Sequence, residues 1–317
     1  MRILVIGCGA IGGVVVAALS SVAEVTGFDT NSAHVAAIRE NGLSVTGAGA
    51  PVTARFAVAD DPASLAKARF EAAIFLVKSG ATGAAAAALG PALEGAALLT
   101  LQNGMGNAEA LERLPNAVIA RGVTMDAGRY LGPGRVERLI HGQPTWIGPV
   151  RGPAEALRPL GDSFRAAGLP TEVIDDPMGA VWAKFVFNAV MNPVGALVLG
   201  VNAARYEVAA VRDLIDEMAA ECTAVVHALG GTFAFDPMGF VRKVRAGEVP
   251  LSRHAGSMAL DIARGAPTEI EELTGYVVRE GERLGVPVPA CRTVYRLVKG
   301  LELAARVRAT EAAGGAS

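Results

Sequence analysis

Apolar and polar residues alternate on two different scales along this chain. In the first half they come as short apolar runs separated by helical stretches. Arg2–Ile6 reads as a buried strand, Ala10–Ser20 as a helix, Glu24–Phe28 as a second strand and Ser32–Glu40 as a second helix. Leu43–Thr46 and Val52–Val58 are short strands around a Gly47-Ala48-Gly49 turn. Ala72–Val77, Ala97–Leu101 and Ala117–Val123 are further buried strands, with a small-residue helix at Ala81–Leu89. Arg135–Ile140 and Thr145–Ile147 have the pattern of a β-hairpin. Strand alternating with helix implies a mainly parallel sheet with helices on both faces.

After about Asp175 the strand pattern stops. Long helical patterns follow at Pro177–Leu199, Arg205–Leu229, Pro237–Ala246, Thr268–Leu284 and Ala290–Arg308, and Ala312–Ser317 reads as a frayed tail. The expected architecture is an α/β Rossmann-like doubly wound sheet over residues 1–174. An all-α domain follows over 175–317, for substrate binding or dimerisation. The apolar helical half is compatible with a homodimer.

Composition narrows the classes. The chain has 317 residues, 51% hydrophobic and 5% aromatic, with a net charge of −2. Scattered Lys and Arg argue against a nucleic-acid footprint or a basic membrane face. Cys8, Cys222 and Cys291 are an odd number without a pairing pattern, and the four histidines are far apart. A reducing cytoplasmic setting and no metal site are expected. Met1–Ala18 is basic and then apolar like a secretion signal, but Gly7, Gly9, Gly12 and Gly13 interrupt it. Val181–Val201 has the length of a membrane span, but a lysine, two asparagines and a proline inside it argue against that role.

Gly7-Cys8-Gly9-Ala10-Ile11-Gly12 follows the first strand and opens the first helix, the context a dinucleotide fingerprint requires. Asp29 ends the second strand, 22 residues after Gly7. An acid there accepts hydrogen bonds from a ribose diol and repels a 2′-phosphate, which favours NAD over NADP. The alternative is that Asp29 or Asn31 only caps the next helix, and the two roles are compatible. Lys78 and Asn103 follow strands, at the carboxyl ends where such sheets bind ligands. Taken singly they read equally well as a loop lysine and a turn residue.

Lys184, Asn188 and Asn192 recur every four residues in an apolar helical stretch, so they form one stripe. Polar groups there are costly unless something polar meets them, whether an internal partner or a substrate. Pro193 bends that helix or leaves a carbonyl without a partner. Thr268 and Glu271 have capping-box spacing, so Glu269 read alone is a first-turn acid. Ser257 alone is uninformative, and His254 alone is a structural or loop residue.

Together these segments resemble the ketopantoate reductase (2-dehydropantoate 2-reductase) family over about residues 1–310. The likeness is carried by Gly7–Gly12, Val77-Lys78, Gln102-Asn103-Gly104-Met105-Gly106, Lys184-x3-Asn188-x3-Asn192-Pro193, and Ser257-Met258-x2-Asp261-Ile262 leading to Thr268-Glu269-Ile270. The resemblance implies reduction of a 2-oxo acid to a 2-hydroxy acid by a nicotinamide cofactor. Lys184 is then the general acid and Glu269 lies beside the reacting centre and the cofactor. Asn103, Asn188, Asn192, Asn202 and Ser257 bind the substrate. Gly7, Cys8, Gly9, Ala10, Ile11, Gly12, Asp29, Lys78, Asn103 and the Ala127 backbone are on the cofactor side. The family default is NADPH, read by a basic residue where this chain has Asp29-Thr30. Three other departures are His254 and Thr274 in place of asparagines, and no aromatic residue after Lys78. An NAD-dependent dehydrogenase of another 2-hydroxy acid is therefore the second reading, and a non-catalytic nicotinamide sensor the third.

Overall fold

A computed structural model describes residues 1–251 and 255–314, and the chain divides into two compact units. Unit 1 is Met1–Gln102 with Gly106–Pro177, and unit 2 is Asn103–Met105 with Met178–Ser317. The end of the strand pattern near Asp175 predicts a boundary at 174/175. The contact boundary falls after Pro177, and three residues from the first half join the helical unit.

Unit 1 holds twelve strands and five α-helices. In chain order they are β1 (Arg2–Ile6), α1 (Ala10–Leu19), β2 (Glu24–Phe28), α2 (Ser32–Asn41), β3 (Leu43–Gly47), β4 (Val52–Ala54), β5 (Ala57–Ala59) and β6 (Ala72–Phe75). Then come α3 (Thr82–Leu93), β7 (Ala97–Thr100), α4 (Asn107–Leu111), β8 (Ile119–Thr124), β9 (Ala127–Gly132), β10 (Arg135–Ile140), β11 (Thr145–Arg151), α5 (Arg158–Ala166) and β12 (Thr171–Val173).

Eight strands form the main sheet in the order β12-β11-β8-β7-β6-β1-β2-β5. Neighbours are parallel except β11 with β8. The chain builds outward from β1 through β2 and then crosses to β6. The turn after β1 therefore sits at the switch point, where open α/β sheets bind ligands. Ile3–Ile6 and Ala72–Phe75 are wholly buried, which explains their unbroken apolar runs.

A second sheet, β4-β3-β10-β9, covers α1. Gly13 of α1 faces Val136 of β10, while Gly12 packs on the Gly7 turn. With a sheet on either side, α1 is apolar all round rather than amphipathic. This sheet corrects the expected hairpin. Arg135–Ile140 pairs with β9 and β3, whereas Thr145–Arg151 pairs with β8 and β12 in the main sheet. The expected strand Val52–Val58 also divides, its halves β4 and β5 belonging to different sheets.

Unit 2 contains α6 (Met178–Leu197), α7 (Asn202–Glu207), α8 (Ala209–Ala228), α9 (Gly239–Arg245), α10 (Ser257–Ala263), α11 (Thr274–Leu284) and α12 (Pro289–Gly314). The expected helix Arg205–Leu229 breaks at Val208, which puts Arg205 on α7 rather than α8. The expected helix from Thr268 starts at Thr274. Thr268 donates its amide and hydroxyl to Glu302 Oε1 (2.9 and 2.7 Å), so the Thr268–Glu271 capping box does not form. Helix α12 extends through Gly314 into the expected tail, whose residues 315–317 lie outside the described residues, as does His254. Among the described residues, no helix is long and apolar enough to cross a membrane. Nor does any group of three or more His, Cys, Asp or Glu have a metal-holding arrangement.

Candidate active site

The three fingerprint glycines have three different surroundings. A Cβ on Gly7 would stand 2.7 Å from the Val77 amide nitrogen, and one on Gly12 1.7 Å from the Gly7 carbonyl oxygen. Those two positions close the turn against β6 and α1. Gly9 is different, because a Cβ there meets nothing within 4 Å. Gly9 is also the N-cap of α1, with no side-chain cap and no acid in the first turn. Its surroundings leave room for an anion at the helix N-terminus, the fit a pyrophosphate requires. Cys8 is fully buried, and burial first of all pushes its thiol up from the ordinary value, so it packs as a neutral group.

Asp29 holds this turn from the end of β2. Its Oδ2 accepts from the Cys8 amide at 2.8 Å and its Oδ1 from the Asn31 amide at 2.9 Å. Asn31 in turn caps α2 by accepting from His34 N at 3.1 Å. Ala127 begins β9, and its neighbour Gly128 packs on the same helix end. A Cβ on Gly128 would lie 2.5 Å from the Ala10 carbonyl oxygen. Gly7–Gly12, Asp29 and Ala127 are thus brought together in unit 1. Lys78 is exposed at the end of the β6 segment. The loop it starts is braced by Gln102, whose Nε2 donates to the Val77 carbonyl (2.7 Å) and to Thr82 Oγ1 (2.8 Å).

In unit 2, α6 carries the Lys184, Asn188, Asn192 stripe. Lys184 and Asn192 are half-buried and Asn188 is 7% exposed. Asn188 Nδ2 donates to Asn103 Oδ1 at 3.2 Å, which pins the Asn103–Met105 strap to the stripe. The strap is held from its other side by the Met105 amide, which donates to the Glu272 carbonyl at 3.1 Å. Glu272 belongs to the turn that carries half-buried Glu269. Burial, with the Glu269 and Glu271 charges adding to it, pushes the Glu272 carboxyl above the usual carboxylate range. That turn ends at Thr274, whose hydroxyl donates to the Ala189 carbonyl on α6 at 2.7 Å.

Asn202 and Arg205 lie three residues apart on α7, both buried at 8% and 6% exposure. Arg205 Nη1 donates to the Met191 carbonyl at 3.1 Å, next to Asn192. A Cβ on Gly195 would stand 2.8 Å from that Nη1, so the glycine makes room for the guanidinium. Gly256, which precedes Ser257, lies by Arg205 and Asn192; its Cβ position is 3.8 Å from Arg205 Nη1 and 4.0 Å from Asn192 Oδ1. Burial lowers the Arg205 pKa from the ordinary arginine value, with the Tyr206 phenol acting the other way. Every proposed substrate residue therefore lies in unit 2, Asn103 included.

Arg205 enters the sequence expectations only as a helix bound, Thr274 only in place of a family asparagine, and His34 not at all. The three-residue spacing of Asn202 and Arg205 was a usable signal for the first. The second could be read only from the carbonyl that Pro193 leaves without an amide. A lone His34 carried no signal.

A glycine turn at the switch point of a doubly wound sheet, followed by a helical unit with a lysine–asparagine stripe, defines a nicotinamide-dependent oxidoreductase class. Known proteins narrow the class. Residues 3–152 match the family described as Ketopantoate reductase PanE/ApbA, and residues 176–302 match Ketopantoate reductase PanE/ApbA C terminal. The chain belongs to the ketopantoate reductase family and is an enzyme of that NAD(P)-dependent kind. A 2-dehydropantoate 2-reductase of Halobacterium salinarum is 34% identical over 303 residues, covering 94% of this chain and 98% of its own. The crystal structure of a PanE/ApbA family ketopantoate reductase from Ralstonia eutropha matches with a TM-score of 0.85 at 31% identity, over 96% of this chain and 100% of that one. A D-mandelate dehydrogenase solved with NADH and anilino(oxo)acetate matches with a TM-score of 0.87, over 96% of this chain and 99% of that one. Its 24% identity makes this a likeness of fold alone.

Proposed function

We propose that this enzyme reduces a small 2-oxo acid to its 2-hydroxy acid, with 2-dehydropantoate as the reference substrate. The observation that carries the reading is the Asn103–Asn188 hydrogen bond. It joins a residue from the carboxyl end of a parallel strand to the polar stripe, so two amides converge on the helix that carries Lys184. Bound at the Gly7–Gly12 turn, a reduced nicotinamide dinucleotide supplies the hydride. The protein's own part is electrostatic and positional. As the substrate's 2-oxo group gains negative charge, the Lys184 ammonium stabilises it and passes one N–H proton to the oxygen. Lys184 is left as an amine and regains a proton from water. Asn103, Asn188, Asn192, Asn202 and Ser257 hold the substrate's carboxylate and polar substituents, and Glu269 orients Lys184 or the new hydroxyl. Lys78 and the Ala127 backbone contact the dinucleotide.

The test is a steady-state assay of a panel of 2-oxo acids with NADH and NADPH. Turnover of 2-dehydropantoate above the other acids is expected. Absence of turnover with every acid and both cofactors would contradict the proposal.

Asp29 supports a second reading, an NAD-dependent dehydrogenase of a different 2-hydroxy acid. Each of its carboxylate oxygens accepts one backbone amide and keeps a lone pair for a ribose diol. Its charge opposes a 2′-phosphate. Under this reading kcat/KM is higher with NADH than with NADPH, and Asp29→Ala narrows the difference. A strong NADPH preference in the wild type removes it.

A further inference from the structure

We infer that His34 is a positioning residue for the dinucleotide, aiming the Gly9 amide at its phosphates by gripping the Cys8 carbonyl. The inference rests on the reading that the Gly7–Gly12 turn holds a dinucleotide. His34 lies in the first turn of α2 and is 1% exposed. Its Nδ1 accepts from the Gly134 amide at 2.9 Å, and its Nε2 stands 2.9 Å from the Cys8 carbonyl oxygen. A ring nitrogen that accepts carries no proton, so the ring is the neutral tautomer with Nε2–H donating to Cys8. A second proton on Nδ1 would face the Gly134 N–H.

The Cys8 carbonyl belongs to the Cys8–Gly9 peptide. In a trans peptide the C=O and N–H point in opposite directions, and none of the described peptides is cis. Fixing the carbonyl toward His34 therefore aims the Gly9 N–H the other way. Gly9 is the one fingerprint glycine with open space at its Cβ position. The preceding peptide is held independently, because the Cys8 amide donates to Asp29 Oδ2 at 2.8 Å. One turn of chain, Asp29 to His34, thus grips residue 8 at both its amide and its carbonyl.

The ring is itself braced. Tyr130 of β9 meets it edge-on with ring centroids 5.1 Å apart. Gly134 rests on α2, its Cβ position 3.1 Å from Ala37 Cβ. A residue that only filled space here would need neither nitrogen. His34 uses both, on two segments distant in sequence, and one of them is the phosphate-facing turn.

The experiment titrates NADH and NADPH into wild type, His34→Phe and His34→Gln. It also measures KM for each reactant and kcat. Phe keeps the ring and loses both bonds, while the Gln amide carries one donor and one acceptor at about the ring's spacing. His34→Phe should raise the dinucleotide Kd and KM about tenfold. The 2-oxo acid KM at saturating cofactor and kcat should stay within about twofold, and His34→Gln should recover most of the affinity. Wild-type affinity in folded His34→Phe overturns the inference, as does an equal loss in 2-oxo acid KM. If His34→Phe does not fold, the His34→Gln titration decides: near-wild-type Kd supports the inference and a tenfold loss overturns it. Nitrogen-15 correlation of the wild-type imidazole adds a check free of substitution, since an Nδ1–H tautomer or an imidazolium at neutral pH overturns it. A wild type that binds neither dinucleotide strikes the parent reading instead.

Discussion

The Thr274 hydroxyl donates to the Ala189 carbonyl at 2.7 Å, four residues before Pro193. In an α-helix that carbonyl accepts the amide of residue 193, and proline has none. Helix α6 therefore carries a proline in its interior because a side chain from the Glu269 turn fills the vacant acceptor. Replacing Thr274 by Val keeps the shape and removes the donor. The expected cost is about 1–3 kcal/mol in chemical denaturation, because a fully buried carbonyl loses its partner. In a Pro193→Ala background residue 193 donates its own amide, so Thr274→Val should cost less there. Equal costs in both backgrounds would show that the two residues act independently.

The fingerprint glycines make opposite predictions. Gly9→Ala places a methyl in open space, so melting should be unchanged within about 0.5 kcal/mol. Its dinucleotide affinity should fall tenfold or more, because the backbone is no longer approachable. Gly12→Ala drives a methyl onto the Gly7 carbonyl and should cost about 3 kcal/mol or more in stability. Thermal melts paired with dinucleotide titrations check both. Loss of stability in Gly9→Ala, or a tolerated Gly12→Ala, would reverse the assignment.

Much of this architecture was legible because periodicity reports burial. Ile3–Ile6 and Ala72–Phe75 read as buried strands because each lies inside the sheet, and the Lys184 stripe is visible because α6 runs unbroken for 20 residues. Pairing was less legible. Arg135–Ile140 and Thr145–Arg151 are strands close in sequence, yet they join different sheets, and β9, the true partner of β10, has a weak Ala-Gly-Arg-Tyr pattern. The Thr268–Glu271 spacing misled because Glu302, 34 residues away, competes for the Thr268 donors. In the candidate site, residue types at fixed spacing were readable, whereas the Asn103–Asn188 bond and the Arg205 contact were not. Both join segments that only the tertiary fold brings together.

That Glu302 contact gives a pH dependence. Burial acts to raise the Glu302 pKa, but the Thr268 hydroxyl and amide and the Lys299 ammonium outweigh it and hold the carboxyl below the usual range. A carboxyl depressed in the folded state contributes stability above its ordinary unfolded value and loses it as pH falls through the folded value. Glu302→Gln should therefore cost about 2 kcal/mol in urea denaturation at pH 7 and much less at pH 3. The same cost at both values would contradict the assigned charge state.

The central claim is that Lys184 delivers the proton to the reduced oxygen, and Lys184→Ala tests it most directly. With wild-type dinucleotide affinity verified by titration, steady-state kcat on a 2-oxo acid should fall about 10²–10⁴-fold. A folded Lys184→Ala enzyme that turns over at near the wild-type rate would contradict the account.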